Sequence, residues 1–381
     1  MRRHLFCCLL VAGLLTGAAA AQDASPAALA DYQAKLETYE RVHGAYEEQA
    51  TAYWDAVADK RRVRNAKRRN HEPIALADYL LTQPPVYSGP PKPVSPLPPP
   101  PPPPVPPKPE IPVLADFLAA ASEEWDFMPD LPASDADFKR AYAKAARAAG
   151  LSREQIVGVY AFETGGNGAY DSQAGLGRPR PNAHAISPAI GYNQLLSTNT
   201  VSLFAESGPR FLAALGAKAR TLTGAQRAAF ERKTAVLRRM IAYCRGLPHR
   251  WSEYDEIAKH TPKGWGIHAA VLDIDVGPLL QVQKLLDSVQ FARAKGYAAP
   301  LSAAELELMN LTGDGNGFDM VTMPQALRAQ VPTANFFQRQ GYERNPVARR
   351  TGVVAALIAE IGGKMASAAN SPGAKELAAA F

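Results

Sequence analysis

The chain has 381 residues, 47% of them hydrophobic, so it can bury a sizeable core and is not disordered as a whole. Its 33 prolines are too many for one compact domain, and seventeen of them lie between Pro84 and Pro112, so the chain divides into separate parts. The formal charge is a modest +6, and three cysteines exclude a disulfide scaffold and a Cys-only zinc site.

At the N-terminus Arg2 and Arg3 precede an apolar run, Leu5 to Leu15, and the small residues of 16–21 come next. That order predicts a cleaved secretory signal peptide over 1–21. The run is shorter than the ~20 residues of a membrane-spanning helix. The mature protein is expected to be periplasmic or secreted. It would keep Cys244 and lose Cys7 and Cys8 with the leader.

Residues 22–83 are expected to form a module of their own, built on one long helix over 27–69. Tyr32, Tyr39, Tyr46 and Tyr53 recur every seven residues, with Leu36, His43, Ala50 and Val57 interleaved. This is an a/d seam of nearly four heptads, which suits a modest coiled coil or a helix packed on another element. Self-association through 27–59 is one use of such a seam. Charge is strongly polarised along this helix: residues 23–59 carry a net −6, and 60–69 carry seven bases and no acid. A basic block of that kind binds polyanions. Behind an export signal an anionic envelope surface is a better partner for it than nucleic acid, which is not expected. The plainer reading is a solvated helix end that balances the acidic stretch before it. The proline-rich segment 84–112, with its unbroken run Pro98 to Pro104, predicts polyproline II. At ~3.1 Å per residue it could reach about 90 Å, as a stiff spacer between the helix and the C-terminal part of the chain.

Residues 113–381 read as an all-α domain. Ser152 and Ser302 each open a capping-box pattern, and Gly150 sits where a helix over about 135–149 should stop. Apolar residues recur at helical spacing near 225–245, 277–295 and 347–367, and strand-like alternation is scarce. His249, His260 and His268 lack the spacing of a helical metal-ligand pair. Asp314 to Asp319 begins like a calcium loop but lacks its later glycine and glutamate, so a tight turn is expected. No metal and no cofactor are expected. Trp54, Trp125, Trp251 and Trp265 could line a sugar groove, although core packing is the better expectation for each.

The chemistry starts at Glu163. The helix opened by Ser152 runs through Ile156, Val157, Val159, Tyr160 and Phe162 to Glu163, Thr164 and two glycines. A carboxyl at the negative end of an apolar helix has its pKa raised, as a general acid at neutral pH requires. A glutamate facing water at a helix end is the bland alternative. A second element runs from Ala185 through Ser187 and Gly191 to Tyr192, Asn193, Gln194, Leu195 and Leu196. Its amides suit sugar hydroxyls and N-acetyl groups.

Together the two elements resemble the soluble lytic transglycosylase family, whose catalytic domain is lysozyme-like. Glu163-Thr164-Gly165 resembles that family's Glu-Ser-Gly, with threonine for serine. Ser187, Gly191 and Gln194 are similar to the serine, glycine and glutamine of its second motif. The third motif, Tyr-Asn-Ala-Gly, has its nearest match at Met309-Asn310-Leu311-Thr312-Gly313, with methionine for tyrosine and one extra residue before the glycine. A further family tyrosine corresponds to Tyr342. The resemblance covers about 152–345 and implies an additional helical insertion over about 203–300.

The resemblance implies a peptidoglycan substrate, Glu163 as the catalytic residue, and Ser187, Gly191, Tyr192, Gln194, Asn310 and Tyr342 around the sugar. Glu163 would protonate the glycosidic oxygen between N-acetylmuramic acid and N-acetylglucosamine. It would then take the proton of the muramic C6 hydroxyl as a 1,6-anhydro ring closes, with no second acid. Two alternatives stay open. One is a lysozyme-type hydrolase with Asp171 as the near candidate base. The other is a non-catalytic envelope protein that binds peptidoglycan or serves as a scaffold.

Overall fold

Sixteen α-helices follow one another among the described residues. In chain order they are α1 (Pro26–Arg69), α2 (Leu114–Trp125), α3 (Asp135–Ala148), α4 (Arg153–Thr164), α5 (Ser197–Ala219), α6 (Gly224–Arg245), α7 (Trp251–His260), α8 (Pro262–His268), α9 (Gly277–Ala294), α10 (Ala303–Thr312), α11 (Asp314–Thr322), α12 (Gln325–Arg328), α13 (Arg339–Glu343), α14 (Pro346–Thr351), α15 (Val354–Ala368) and α16 (Pro372–Ala379). The fold is all-α. Among the described residues β-pairing is confined to three isolated bridges. The computed structural model describes residues 25–97, 111–173, 185 and 187–381. The expected signal peptide, the run Pro98 to Pro104 and Ile186 lie outside the described residues. No described helix is long and apolar enough to cross a membrane.

The helices fall where local signals put them. Gly150 follows α3, Ser152 and Ser302 cap α4 and α10, and α6 and α9 match the periodic stretches. Two expectations need correction. The stretch near 347–367 is broken into α14 and α15 at Gly352. Asp314 to Asp319 is not a tight turn but the start of α11, where Asp314 accepts a hydrogen bond from Ser288.

The chain divides into two compact units, and the division falls inside α1: residues up to 53 with 84–108, and 54–83 with 109–381. In the first unit the tyrosine seam is half-buried by the chain's own proline segment. The ring of Tyr87 packs against Tyr39, His43 and Tyr46, with centroids 6.2, 5.3 and 5.4 Å away, and its hydroxyl donates to the Pro90 carbonyl. Over 84–97 the proline segment is therefore not a free spacer. Proline-rich backbone has few donors to satisfy, so it needs only an apolar stripe to lie along. The same contact covers Tyr39, His43 and Tyr46, which the sequence offered for self-association.

In the second unit the end of α1 belongs to the core. Arg64 lies seven residues past Val57, on the same seam, and only 1% of it is exposed. Its Nε donates to Asp319 on α11, Nη1 to the Asp78 carbonyl and Nη2 to the Asn335 carbonyl, and its guanidinium stacks 4.5 Å from the Tyr79 ring centroid. Arg68 also pairs with Asp319, Lys67 with Asp78, and Arg61 donates to the carbonyls of Asn335 and Phe337. The expected module boundary at 83 is thus wrong, since 54–83 packs with the large domain. The basic block 60–69 is not a free cationic face, because its central cations are spent on buried partners.

Two apolar clusters fill the second unit. One gathers α3, α4, α10, α11, α15 and α16 around Tyr142, Tyr160 and Leu308. The other gathers α2 and α5 to α8 around Phe117, Phe204 and Leu237. α9 joins them, giving Leu280 to the second and Leu285 to the first. The expected insertion over 203–300 is helical, but α9 within it belongs to the core that supports Glu163. Among the tryptophans Trp125 is buried, whereas Trp251 is 54% exposed and departs from the expected core packing.

Candidate active site

Glu163 ends a helix that is buried nearly all round. The Ser152 hydroxyl accepts from the Gln155 amide while the Gln155 side chain accepts from the Ser152 amide, so the first turn of α4 is closed on both sides. Ile156 to Ala161 are then all buried. α10 approaches α4 at Gly158, where a Cβ would come within 2.6 Å of that of Ala303. The absence of that Cβ lets the two helices lie together. One consequence is a hydrogen bond from Asn310 Nδ2 to Glu163 Oε1 of 2.9 Å.

Burial pushes the Glu163 carboxyl up to about 7, against hydrogen bonds from Glu307 and Asn310 and the charge of Lys284, which pull it down. A half-buried carboxyl that keeps its proton near neutrality is what a general acid needs. The neighbour, Glu307, is fully buried and is raised well above the usual carboxylate range, first by burial and then by Glu163 itself. Sequence reasoning missed Glu307. Its signal was a glutamate inside the apolar run Leu306 to Met309, three residues before Asn310 and hence on the same helix face.

The second motif is laid against the loop after Glu163. Gly191 N donates to the Ser172 carbonyl at 3.0 Å, and Gln194 Nε2 donates to the carbonyls of Ser172 and Gly191. Gln194 holds a left-handed conformation, φ 45°, which a non-glycine residue keeps only when its surroundings enforce it. Gly191 has φ 86° and sits so close to α9 that a Cβ there would come within 2.8 Å of Gln281 Nε2. Gln281 also binds Asn193 twice, through its side-chain oxygen and its backbone carbonyl. One turn further along α9 is Lys284, the cation that acts on both glutamates. α9 thus braces the motif loop and the carboxyl pair together. From the other side His268 clamps the loop: its Nε2 donates to the Pro188 carbonyl and its Nδ1 accepts from the Thr200 hydroxyl.

The sequence-predicted residues separate by role. Asn310 reaches Glu163 directly, and Gly191 and Gln194 shape the adjoining loop. Ser187 accepts from the Ala189 amide and stiffens the loop start. Two tyrosines are corrected. Tyr192 is fully buried among Phe138, Tyr142 and Tyr160, with its hydroxyl on Asp135, and so presents no ring to a sugar. Tyr342 is 6% exposed and packs on Trp54 and Phe337. Both rings are large apolar surfaces that the core claims first. Met309, which stands for the family tyrosine, is also in the core, against Gly317 of α11. Just past Asn310 a depression of about 420 Å³ is lined by Leu311, Asn316, Gln338, Gln340 and Arg344. No family model, no curated protein and no solved structure matches this chain.

Proposed function

We propose that the chain is a peptidoglycan-cleaving lytic transglycosylase with a lysozyme-like catalytic domain. The observation that carries this reading is the Glu163 carboxyl, held protonated near neutrality by burial and bonded to Asn310. In this reading Glu163 gives its proton to the glycosidic oxygen as the bond to muramic C1 breaks. The C6 hydroxyl of the same sugar then attacks C1 and returns its proton to Glu163, so a 1,6-anhydro product forms without water. The depression that begins at Leu311, next in the chain to Asn310, mixes the side chains of Asn316, Gln338 and Gln340 with the rings of Phe336 and Phe337, a lining that suits sugar hydroxyls and N-acetyl groups. The leader over 1–21 would place the mature protein in the periplasm or outside the cell. The burial of Met309, Tyr192 and Tyr342 leaves none of these side chains exposed to a bound sugar, which favours a glycan-binding protein as the second reading.

Digestion of purified cell-wall sacculi with the mature protein, followed by mass spectrometry, tests the proposal. Anhydro-muropeptides support it. Reducing muropeptides make the protein a hydrolase, and retention on sacculi with no product makes it a binder.

A further inference from the structure

Glu307 is fully buried on α10, and neither carboxyl oxygen has a hydrogen bond of good geometry; the one N–H group in reach of it is the Asn310 amide, which also donates to Glu163. An ionised carboxylate in that position would be a buried anion with most of its acceptor capacity unfilled, the Asn310 amide being its one neighbouring donor, and proteins avoid such an arrangement. A neutral carboxylic acid needs only one acceptor for its single hydroxyl. The Glu163 carboxyl is in hydrogen-bond contact with Glu307 and supplies that acceptor.

We propose that Glu307 stays protonated through neutral pH and donates its hydroxyl to the Glu163 carboxyl, as the positioning residue of this site. The role in turnover rests on the transglycosylase reading; the protonation does not. When Glu163 gives its proton to the glycosidic oxygen, the carboxylate left behind accepts from both the Glu307 hydroxyl and Asn310 Nδ2. Glu163 then takes up the C6 hydroxyl proton, and Glu307 ends with the proton it began with. Two donors thus hold Glu163 in one rotamer in both protonation states, and the departing proton leaves no unpaired charge in the core.

The surroundings are consistent with one ionisable partner and one neutral one. α4 contributes Glu163, α9 contributes Lys284 and α3 contributes Tyr142, whose hydroxyl is engaged with Asn193. α11 and α15, also packed on α10, add apolar members of the core such as Met320 and Ile361. Lys284 is a single cation and can balance a single negative charge, not two.

The test is carboxyl carbon-13 NMR of the protein labelled at glutamate Cδ, titrated from pH 4 to 9, with Glu307→Gln and Glu163→Gln assigning the two signals. The expected result is a Glu307 signal at the position of a protonated acid at pH 7, in wild type and in Glu163→Gln. In Glu307→Gln the amide replaces the hydroxyl as donor, so the Glu163 midpoint stays within about half a pH unit of wild type. An ionised Glu307 at pH 7 overturns the proposal. So does a fall of a unit or more in the Glu163 midpoint in Glu307→Gln, since only the loss of a neighbouring negative charge would cause it. Should Glu307→Gln not fold, the wild-type and Glu163→Gln spectra decide alone. The NMR result judges the protonation whether or not sacculi are cleaved, and the muropeptide assay judges the reaction separately.

Discussion

Asn310 Nδ2 donates to Glu163 Oε1 across 2.9 Å, joining side chains 147 positions apart in the chain. The bond favours the ionised form of Glu163, while burial favours the neutral one, and burial prevails. Asn310→Leu removes the donor and keeps the volume similar. The Glu163 midpoint should rise further, moving the alkaline limb of the pH–rate profile up by about one unit, and turnover should fall roughly tenfold. An unmoved limb would separate Asn310 from the chemistry.

Glu163→Gln keeps shape and hydrogen bonding and removes the titratable proton. Positioned acid–base help is worth roughly 10²–10⁴-fold, so anhydro product should fall by that factor with little change in melting temperature. Asp171→Asn, eight residues on, should lose far less. The reverse pattern would move the chemistry to Asp171 and make a hydrolase the better description.

Arg64 sits 1% exposed and holds Asp319, itself 4% exposed, together with two carbonyls. Removing Arg64 leaves Asp319 to Arg68 and strands the buried Asp78 carbonyl, at a cost of about 1–3 kcal/mol. Arg64→Ala should lower the unfolding free energy by that amount in a denaturant titration, and Arg62→Ala, at an exposed pair with Asp59, should lower it little. For the same reason a chain beginning at Ile111 should not fold cooperatively, as judged by its thermal transition. A self-contained module over 22–83, as expected from the sequence, would leave such a chain folded.

His268 is buried, and burial pushes its imidazole down to about 4. Its folded-state value lies below the ordinary 6.5, so its stabilising contribution is full above about pH 6.5 and is lost as pH falls towards 4. Over that window the unfolded chain takes up a proton that the folded chain excludes. The loss amounts to about 3 kcal/mol. Denaturation midpoints of wild type and His268→Gln should therefore converge as the pH drops from 7 to 4. The carboxyl pair titrates in both proteins and cancels from the difference. A difference that does not change with pH would mean that the ring is already charged in the fold.

Most helix positions were legible in the sequence because their causes are local. The Ser152 and Ser302 caps, the glycine after α3 and the apolar spacing of α6 and α9 act within a turn or two of the chain. Glu163 stood out for the same reason, as a carboxyl at the end of a helix with no polar face. Asn310 was reached through a resemblance, which named the residue but said nothing of its neighbour Glu307. Tyr192 and Tyr342 went astray because an aromatic ring suits a sugar groove and a core equally well. Which of the two it serves depends on what packs over it, and no local pattern contains that.

The sequence by itself determined that this is an all-α protein, where its caps and breaks lie, and which face of α1 is the sticky one. Tertiary structure decided what those faces meet. Arg64 reads as the middle of a solvated basic block until Asp319, 255 positions later, is folded onto it. Tyr87 reads as part of a spacer until its ring lies on the tyrosine seam. Glu307 reads as one more turn of α10 until the close approach at Gly158 sets it beside Glu163. Helical periodicity comes from bonds four residues apart, but the charge state of a carboxyl or a guanidinium depends on how much water is removed and which partner replaces it. Both are set by residues that only the folded chain brings near.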